Sequence, residues 1–365
     1  MGSWLMAHGS WLMAHGSRPD SYPEFPLYKN DGKPLIQLTN IQHQAIAAFK
    51  EKLASGVYRL EDNPCMCGTS DDVVVTEKDR YGIPCRYVLC RHCGLVRQQK
   101  RLDDESTALF YRDDYRSIYS GAETATEEFF RGQFVRGELF YSLADKYIGT
   151  SNIKTVFEAG CSAGGNLYIF HKHGISVSGC DFDEKYIQYG ISKGMKLYAG
   201  EPDPTKTPPN SQDLVILSHV LEHLNHPLDY VNTLIETIAP KGHLVMQVPG
   251  IFAIREQYGR PIRYFQNAHV WNFYAHYLEE FFSALGLETV YSDETCTLLL
   301  RKPEGWQKKD TQTLTVWDED MPAWSKKAAR ALIDFHKRPS IRYILLRTLE
   351  ILRIKFIVKK LLGRK

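Results

Sequence analysis

Short apolar runs alternate with helix-like segments through the middle of the chain. The runs predicted to be strands are Thr155–Phe157, Ile175–Cys180, Met195–Ala199, Asp213–Leu217, Lys241–Val248, Leu287–Tyr291 and Cys296–Arg301. The first five are separated by longer segments, of which Leu167–His171 is predicted to be helical, whereas the last two follow each other closely. This pattern predicts an α/β domain with a largely parallel sheet that closes with an antiparallel pair.

The flanking regions have different patterns. Thr39–Ala54 has the spacing of an amphipathic helix, and Glu123–Tyr147 predicts a helical bridge in front of the first strand of the α/β domain. Residues 1–17 contain the heptamer SWLMAHG twice, which we interpret as an artificial tag because no fold explains the copy. The predicted division is 1–17 tag, 18–62 extended and helical segment, 63–100 cysteine-rich module, 101–150 helical bridge or lid, 151–302 α/β domain, 303–325 linker, and 326–365 basic amphipathic helix.

Composition sets outer limits on function. The 365 residues are 43% hydrophobic, which allows one large domain and one or two small modules. The formal net charge of +2 provides no overall attraction to nucleic acid, so a nucleic-acid partner is not expected. No secretory signal and no long uncharged apolar run is present, which favours a cytoplasmic location.

A glycine-rich turn follows the first strand of the α/β domain. In the segment VFEAGCSAGGN, Glu158 precedes Gly160 and Gly164, and a predicted helix begins soon afterwards. Glycines in such a turn permit positive φ and let backbone N–H groups approach a ligand. The next strand ends at Asp181, 21 residues beyond Gly160, where a carboxylate can accept both hydroxyls of a ribose.

These residues resemble the class I S-adenosylmethionine (SAM) methyltransferases over Lys154–Lys302. The resemblance implies a Rossmann-like, seven-stranded sheet with SAM as cofactor. It also implies that the acid and alternating glycines of the family correspond to Glu158, Gly160, Ser162 and Gly164, with serine where glycine is commoner. The complete SAM-binding set predicted in this way adds Asp181, Phe182, Glu201 and Ser218.

Five of the eight cysteines lie between residues 65 and 93. Cys65 and Cys67 belong to PCMCG, and Cys90 and Cys93 belong to CRHCG, so two Cys-Gly turns are joined by a strand-like segment. This arrangement predicts a zinc ribbon with a structural Zn²⁺ and no open coordination position. Only one residue separates the first pair, so Cys85 or His92 could replace Cys65 as the fourth ligand. Buried reduced thiols without a metal are the alternative.

The cysteine-rich module, the tyrosine-rich segment FYRDDYRSIYSG and the SAM domain together resemble a narrower group. They are similar to sugar C-methyltransferases and related zinc-ribbon methyltransferases of polysaccharide and antibiotic-sugar pathways. The resemblance implies that the tyrosine-rich segment closes over the active site and that a tyrosine such as Tyr115 serves in proton transfer. Tyr111, Tyr115 and Tyr119 are spaced by four and would form one stripe on a helix. Packing against the core is the simpler interpretation of that stripe.

Titratable side chains follow the fourth and fifth strands of the α/β domain. His219, Glu222 and His223 belong to SHVLEH at the carboxyl end of the fourth strand, where ligands bind in open α/β sheets. His269 lies in an aromatic and basic insert after the fifth strand, and we favour it as general base. In the sugar C-methyltransferases a Glu-His pair occurs near this position, but here Ala268 precedes the histidine, which favours oxygen over carbon as the methylated atom. Each of these residues could instead have a structural role.

The C-terminal segment combines cations with apolar residues. Between Ile341 and Leu362 there are six Lys or Arg and one acid among aliphatic side chains. Such a segment is too charged to span a bilayer. We expect residues 335–365 to bind either an anionic membrane surface, which would place the protein at the inner face of the membrane, or a partner protein.

The sequence as a whole predicts SAM-dependent methyl transfer to a hydroxyl or carbon of a sugar. The acceptor would be a nucleotide sugar or a surface glycan, which could be lipid-linked, with a histidine as general base. Two alternatives remain at this point. One is an rRNA base methyltransferase with a zinc module, and the other is a non-catalytic scaffold subunit with a SAM-type fold.

Overall fold

The computed structural model describes residues 27–119 and 124–338, together with residues 341, 344, 345 and 348. The strands of these residues are β1 Leu60–Asp62, β2 Asp72–Lys78, β3 Pro84–Cys90, β4 Val96–Gln98, β5 Lys100–Leu102, β6 Thr155–Ala159, β7 Ser176–Asp181, β8 Lys196–Ala199, β9 Gln212–Ser218, β10 Ile238–Gln247, β11 Trp271–Asn272, β12 Glu288–Ser292 and β13 Thr297–Arg301. The α-helices are α1 Asn40–Ala54, α2 Asp104–Asp113, α3 Tyr115–Tyr119, α4 Glu127–Gly132, α5 Phe134–Tyr147, α6 Gly165–Lys172, α7 Glu184–Ser192, α8 Pro227–Thr237, α9 Ile254–Gln257, α10 Pro261–Tyr264, α11 Ala275–Ala284 and α12 Met321–Lys337. Short 3₁₀ helices cover Thr150–Asn152, Leu221–His223 and Ile251–Ala253.

Seven strands form the large sheet in the order β12-β13-β10-β9-β6-β7-β8. β13 is antiparallel to both of its neighbours, and the remaining pairs are parallel. The predicted seven-stranded α/β sheet with a closing antiparallel pair is therefore confirmed. Because β6, β7 and β9 are parallel, the residues that follow them meet at one edge of the sheet.

Both faces of the large sheet are covered. Along β9, Leu214 and Ile216 belong to one hydrophobic cluster, and Val215 and Leu217 belong to another. All four side chains are fully buried. Such burial on both faces explains why this strand is a continuous apolar run instead of an alternating one.

A second, antiparallel sheet has the order β11-β4-β3-β2. Three of its strands come from the cysteine-rich module, and β11 comes from the insert after β10. Trp271 pairs with Arg97, and Asn272 pairs with Val96. The insert of the large domain thus supplies an edge strand to the module, and the two parts of the chain share a backbone hydrogen-bond ladder.

Side chains of the module also hold the insert. The Tyr87 hydroxyl donates to the carbonyl oxygens of Gln266 (2.6 Å) and His269 (3.0 Å). The buried carboxylate of Asp79 accepts the N–H of Asn267 at 2.9 Å. The position of His269 therefore depends on strand β3 and on the turn that precedes it.

Several local predictions hold and others need correction. The helix predicted over Thr39–Ala54 is confirmed as α1, with Thr39 as its cap in a reciprocal capping box. The helical bridge is two helices, α4 and α5, which meet at Gln133. The tyrosine stripe is interrupted as well: Asp114 ends α2, so Tyr111 lies on α2, and Tyr115 and Tyr119 lie on α3.

The two ends of the chain fall largely outside the described residues. The proposed tag, residues 1–17, is not among them, and the basic segment is described only at residues 341, 344, 345 and 348 beyond α12. The tail prediction is therefore untested by the structure. Within the described residues, no helix is both long and apolar enough to cross a membrane.

Candidate active site

The glycine-rich turn between β6 and α6 is sharply bent. Gly160, Ser162 and Gly164 all have positive φ, at 72°, 52° and 76°. A Cβ on Gly160 would lie 2.3 Å from Cγ2 of Val220. The turn therefore passes directly against the segment that follows β9, and only glycine fits at this crossing.

Asp181 is tied to the same turn. Its Oδ2 accepts the N–H of Ser162 at 2.9 Å, and its Oδ1 accepts the N–H of Asp183 at 2.9 Å. Burial raises the pKa of Asp181, and these backbone bonds and the Arg116 charge oppose the shift. The carboxylate predicted to hold a ribose thus lies beside the turn predicted to hold the rest of the nucleoside.

Glu158 is fully enclosed at the end of β6. Its Oε1 accepts from the side-chain amide of Asn166 at 2.7 Å, and Oε2 has no hydrogen-bond partner among the described residues. Burial raises the pKa of Glu158 to about 8. The remaining predicted SAM residues are less enclosed: Phe182 and Glu201 are exposed, and Ser218 is buried with its hydroxyl unpartnered in the described part of the chain.

Two contacts near the predicted SAM-binding residues were missed by the sequence analysis. The side-chain oxygen of Gln133, between α4 and α5, accepts the N–H of Gly165 at 3.0 Å. Arg116 on α3 donates to Asp183 at 2.8 Å, and its guanidinium lies 4.0 Å from the ring centre of Tyr186. Gln133 belongs to no recognisable motif, and in the tyrosine-rich segment that contains Arg116 only the tyrosines were singled out. Together these contacts fasten the helical bridge to the turn and α3 to the loop that follows β7.

A cluster of titratable groups follows β9. Oε1 of Glu222 lies 3.4 Å from Nδ1 of His219, 3.8 Å from Nε2 of His223 and 3.8 Å from Nε2 of His269. Glu222 is 1% exposed, and neither of its oxygens has a hydrogen-bond partner within the described ranges. The structure thus brings together all four residues that the sequence placed near the reaction. We call Glu222, His219, His223 and His269 the Glu222 cluster.

The members of the cluster differ in their access to solvent. The His219 side chain is 34% exposed, whereas the side chain of His269 is 7% exposed. His219 also has a left-handed backbone, with φ at 55°, which is uncommon for a residue other than glycine and is frequent at functional sites. His219 therefore faces the open side of the cluster, and His269 closes its inner side.

Burial dominates the electrostatics of the cluster. Desolvation lowers the pKa of His223, and it lowers the pKa of His269 well below the usual range. For Glu222, desolvation acts to raise the pKa, but the neighbouring histidines outweigh it and the pKa is lowered. The ionised form of the Glu222 carboxylate is therefore favoured, and burial favours the neutral forms of His223 and His269.

The tyrosine-rich segment reaches the cluster from one side. The Tyr111 hydroxyl lies 2.9 Å from Nδ1 of His223, and the Tyr119 hydroxyl accepts the N–H of Ala268 at 3.1 Å. The Tyr115 ring lies 6.1 Å from the His223 ring, and burial raises the pKa of Tyr115 to about 12. Of the three tyrosines, Tyr111 therefore has the direct contact with a titratable member of the cluster.

The four predicted zinc ligands converge. Cys65 Sγ lies 3.4 Å from the Sγ atoms of both Cys93 and Cys67, and Cys67 Sγ lies 3.6 Å from Cys90 Sγ. Four thiolates at about 2.3 Å from a tetrahedral Zn²⁺ would be separated by about 3.8 Å, so this donor set fits the ion. Gly68 and Gly94 follow the two pairs with φ of 79° and 76°, as expected of the turn glycines.

The two alternative zinc ligands lie elsewhere. The ring of His92 stacks on Trp317 with a centroid distance of 3.6 Å. Cys85 is buried outside the group of four, and desolvation strongly raises the pKa of its thiol. The structure therefore selects Cys65 as the fourth member of the set.

A family model described as a methyltransferase domain matches residues 133–292. The matched region contains the glycine turn, Asp181 and the Glu222 cluster. This part of the chain therefore matches a methyltransferase domain. No curated protein matches the sequence.

Solved structures of low sequence identity resemble part of the chain. A 1,6-didemethyltoxoflavin-N1-methyltransferase from Burkholderia thailandensis, bound to its substrate and S-adenosylhomocysteine, is 15% identical, with 54% of this chain and 89% of that chain covered and a TM-score of 0.41. A SAM-dependent methyltransferase from Mesorhizobium loti is 14% identical, with coverage of 44% and 97% and a TM-score of 0.37. Another from Archaeoglobus fulgidus is 16% identical, with coverage of 59% and 96% and a TM-score of 0.36. These likenesses carry no argument about the acceptor.

Proposed function

We propose that the protein transfers a methyl group from SAM to a sugar hydroxyl, in a nucleotide sugar or a glycan. The observation that carries this proposal is the contact between the glycine-rich turn and the segment that leads to the Glu222 cluster. The turn that would hold SAM meets the segment leading to Glu222 at Gly160 and Val220, where a Cβ would lie only 2.3 Å from a methyl group. A cofactor in the turn would therefore present its reactive end to the Glu222 cluster.

SAM, when bound, supplies a methyl group that its sulfonium has already activated. What this chain must add is alignment of the acceptor and removal of one proton. Asp181 and the N–H groups of the turn would position the nucleoside. The segment that carries Tyr111 and Tyr115 would cover the acceptor and exclude water.

His219 is the side chain best placed to remove the proton. It combines access from the open side with a carboxylate 3.4 Å from its Nδ1. The sequence favoured His269 for this role, but its ring is nearly enclosed and its Nε2 also contacts the Gln266 amide. A base must reach the acceptor hydroxyl, so we assign proton removal to His219 and expect it to contribute about 10²- to 10⁴-fold.

A sugar acceptor is supported by the resemblance to zinc-ribbon sugar methyltransferases and by the basic residues after β10. Arg255 is exposed, and Arg260 and Arg263 are half-buried on the same insert as His269. Guanidinium groups bind phosphates bidentately, which suits the diphosphate of a nucleotide sugar. Oxygen is favoured over carbon because Ala268 stands where a Glu-His pair would begin.

The proposal is tested by offering SAM with a labelled methyl group to the purified protein together with a panel of nucleotide sugars, lipid-linked sugars and RNA. We expect label to enter a sugar and to disappear with His219→Ala, while SAM binding measured by calorimetry is retained. A His276→Ala variant serves as the control, because the His276 ring stacks on Trp324 and lies outside the cluster. Labelling of RNA instead of any sugar, or no detectable SAM binding, would contradict the proposal.

We also propose that Cys65, Cys67, Cys90 and Cys93 hold a structural Zn²⁺. Four protein ligands leave no open position for water, so the ion would organise the module and not the chemistry. The carbonyl of Cys90 accepts from the Ser325 hydroxyl at 2.8 Å, and the carbonyl of Met66 accepts from the N–H of Val316 at 3.2 Å. The module would thereby also anchor the linker and α12.

A further inference from the structure

Glu222 has an unusual environment for a buried carboxylate. Its side chain is 2% exposed, yet both oxygens are without a hydrogen-bond donor among the residues described here. Such a group costs several kcal/mol unless a cation or a set of donors compensates its charge. The groups that face it are imidazoles, and no lysine or arginine forms an ion pair with it in the described ranges.

The neighbours of Glu222 have the geometry of a ligand set. One ligand atom each from Glu222, His223 and His269 lies within 4.8 Å of the other two. Nε2 of His223 and Nε2 of His269 are each 3.8 Å from Oε1 of Glu222. An ion between them, bound at about 2.1 Å from each, requires only small side-chain movements to bring the ligands to normal distances.

Contacts behind the imidazoles support this interpretation. Nδ1 of His223 lies 2.9 Å from the Tyr111 hydroxyl, which leaves Nε2 directed toward Glu222. Metal-binding histidines usually have their second ring nitrogen held in this way. The ring of His269 lies 4.8 Å from the His223 ring and at 85° to it, and its peptide carbonyl is held by Tyr87. The His223 ring is thus oriented before any ligand binds, and Tyr87 fixes the backbone of His269, whose Nδ1 has no hydrogen-bond partner in the described part of the chain.

We propose that Glu222, His223 and His269 form a binding site for a divalent transition-metal ion such as Zn²⁺, Mn²⁺ or Co²⁺. Two imidazoles and one carboxylate suit these ions, whereas Mg²⁺ and Ca²⁺ prefer oxygen ligands. Three protein ligands leave coordination positions open, and the acceptor hydroxyl is the group that reaches them from the side of His219. The Gln266 amide, which contacts Nε2 of His269, moves aside when the ion binds.

A second three-residue group provides a matched control. His276, Glu280 and Asp318 also offer ligand atoms within 4.8 Å of one another, but all three are half-buried, and Nε2 of His276 is already 2.8 Å from Asp318. It lacks the unpartnered buried carboxylate that distinguishes Glu222. A His276→Ala variant therefore removes a similar histidine without disturbing the proposed site.

The experiment loads the full chain with Zn²⁺ or Co²⁺ and measures bound metal after desalting. We expect about two equivalents in the wild type, about one in Glu222→Gln and in His269→Ala, and about two in His276→Ala. In the Co²⁺ protein, the cysteine site gives intense sulfur-to-metal charge-transfer bands, whereas the imidazole and carboxylate site gives weak ligand-field bands. Gln266→Ala is expected to bind the second ion at least as tightly as the wild type.

Two results would overturn the inference. One is a wild type that binds metal only at the thiolates, with no ligand-field bands from a second Co²⁺ ion. The other is a second equivalent that survives Glu222→Gln and His269→Ala. The wild-type titration needs no variant to fold, and SAM binding confirms that each variant is folded. Metal binding is measured without an acceptor, so its failure is distinct from a failure to methylate sugars.

Discussion

Two neighbours in the glycine turn, Gly160 and Ser162, share a left-handed backbone conformation but have different surroundings. The φ of 52° at Ser162 explains why glycine is commoner there in the family, since a left-handed residue other than glycine is strained. The Ser162 side chain is half-buried, and its hydroxyl has no hydrogen-bond partner among the described residues. Gly160 has a positive φ too, and a side chain there would also collide with Val220. Glycine is therefore required at this position for both reasons.

Replacing Gly160 with alanine is expected to destabilise the protein by about 1–3 kcal/mol and to weaken SAM binding. The new Cβ would lie 2.3 Å from Cγ2 of Val220 and would displace the segment leading to Glu222. Urea unfolding and calorimetry with SAM measure the two effects. The double variant Gly160→Ala with Val220→Ala should recover the part due to the clash. If Gly160→Ala alone matches the wild type, the close crossing described here is wrong.

Glu158 should make stability depend on pH. Its folded pKa of about 8 lies above the usual value of 4.5, so the protonated form is favoured by folding. The contribution to stability is fully present below the unfolded pKa and is lost as pH rises through the folded one. Between about pH 5 and about pH 8, the free energy of unfolding should therefore fall by on the order of 1 kcal/mol per pH unit relative to Glu158→Gln. If the free energies of unfolding of the wild type and Glu158→Gln depend on pH in the same way, the raised pKa of Glu158 is refuted.

At the scale of elements, α2 and α3 act as one cover over the site although a break at Asp114 separates them. α2 presents Tyr111 to His223, and α3 presents Arg116 to Asp183, two residues beyond the carboxylate predicted to hold the ribose. The cover therefore contacts both the acceptor side and the cofactor side of the site. Movement of these helices would change both sides together.

Arg116→Ala is expected to accelerate SAM release about fivefold, because a half-buried ion pair with one planar guanidinium contributes on the order of 1 kcal/mol. Stopped-flow dissociation of SAM measures the rate, and hydrogen exchange over residues 104–119 reports the loosening of the helices. Arg112→Ala, which removes an exposed arginine paired with its neighbour Asp113 on α2, is the control. Equal release rates in the wild type and Arg116→Ala would show that α3 does not retain the cofactor.

The sequence predicted the sheet well because its strands are either apolar runs, as in β9, or alternating segments, as in β7. It predicted the Glu222 cluster for a related reason: residues after parallel strands must meet at one edge. It could not predict which histidine is exposed, because that depends on Tyr87 and Asp79, which lie more than a hundred residues away along the chain. Gln133 and Arg116 were missed because their partners lie 32 and 67 residues away along the chain.

At the scale of the whole molecule, the module and the methyltransferase domain are joined through the four-stranded sheet. β11 begins two residues after His269 and pairs with β4. The Tyr274 hydroxyl donates to the carbonyl of Cys93 at 2.6 Å. Disruption of the cysteine cluster should therefore alter the pairing of β4 with β11 and, through it, the insert that carries His269.

Cys90→Ser should abolish metal binding by the cysteines and raise hydrogen exchange at Trp271 and Asn272 as well as within the module. A thiolate lost from a tetrahedral site removes much of the binding free energy that stabilises the fold. Metal analysis and exchange mass spectrometry provide the two measurements. Cys85→Ser, which changes a buried cysteine outside the cluster, should keep its zinc. An unchanged exchange rate in β11 of the Cys90→Ser protein would show that the module and the insert are not coupled.

The shared sheet has a practical consequence for anyone who wishes to recombine such enzymes. A chimera joined after β5 would separate β11 from its neighbour β4. It would also leave His269 on an unsupported loop, so the methyltransferase domain of the chimera should be impaired. Exchange between such proteins should succeed only when the cysteine-rich module and the insert are transferred together. Substitutions in the module and in the insert face the same constraint, because each part supplies a strand to the same sheet.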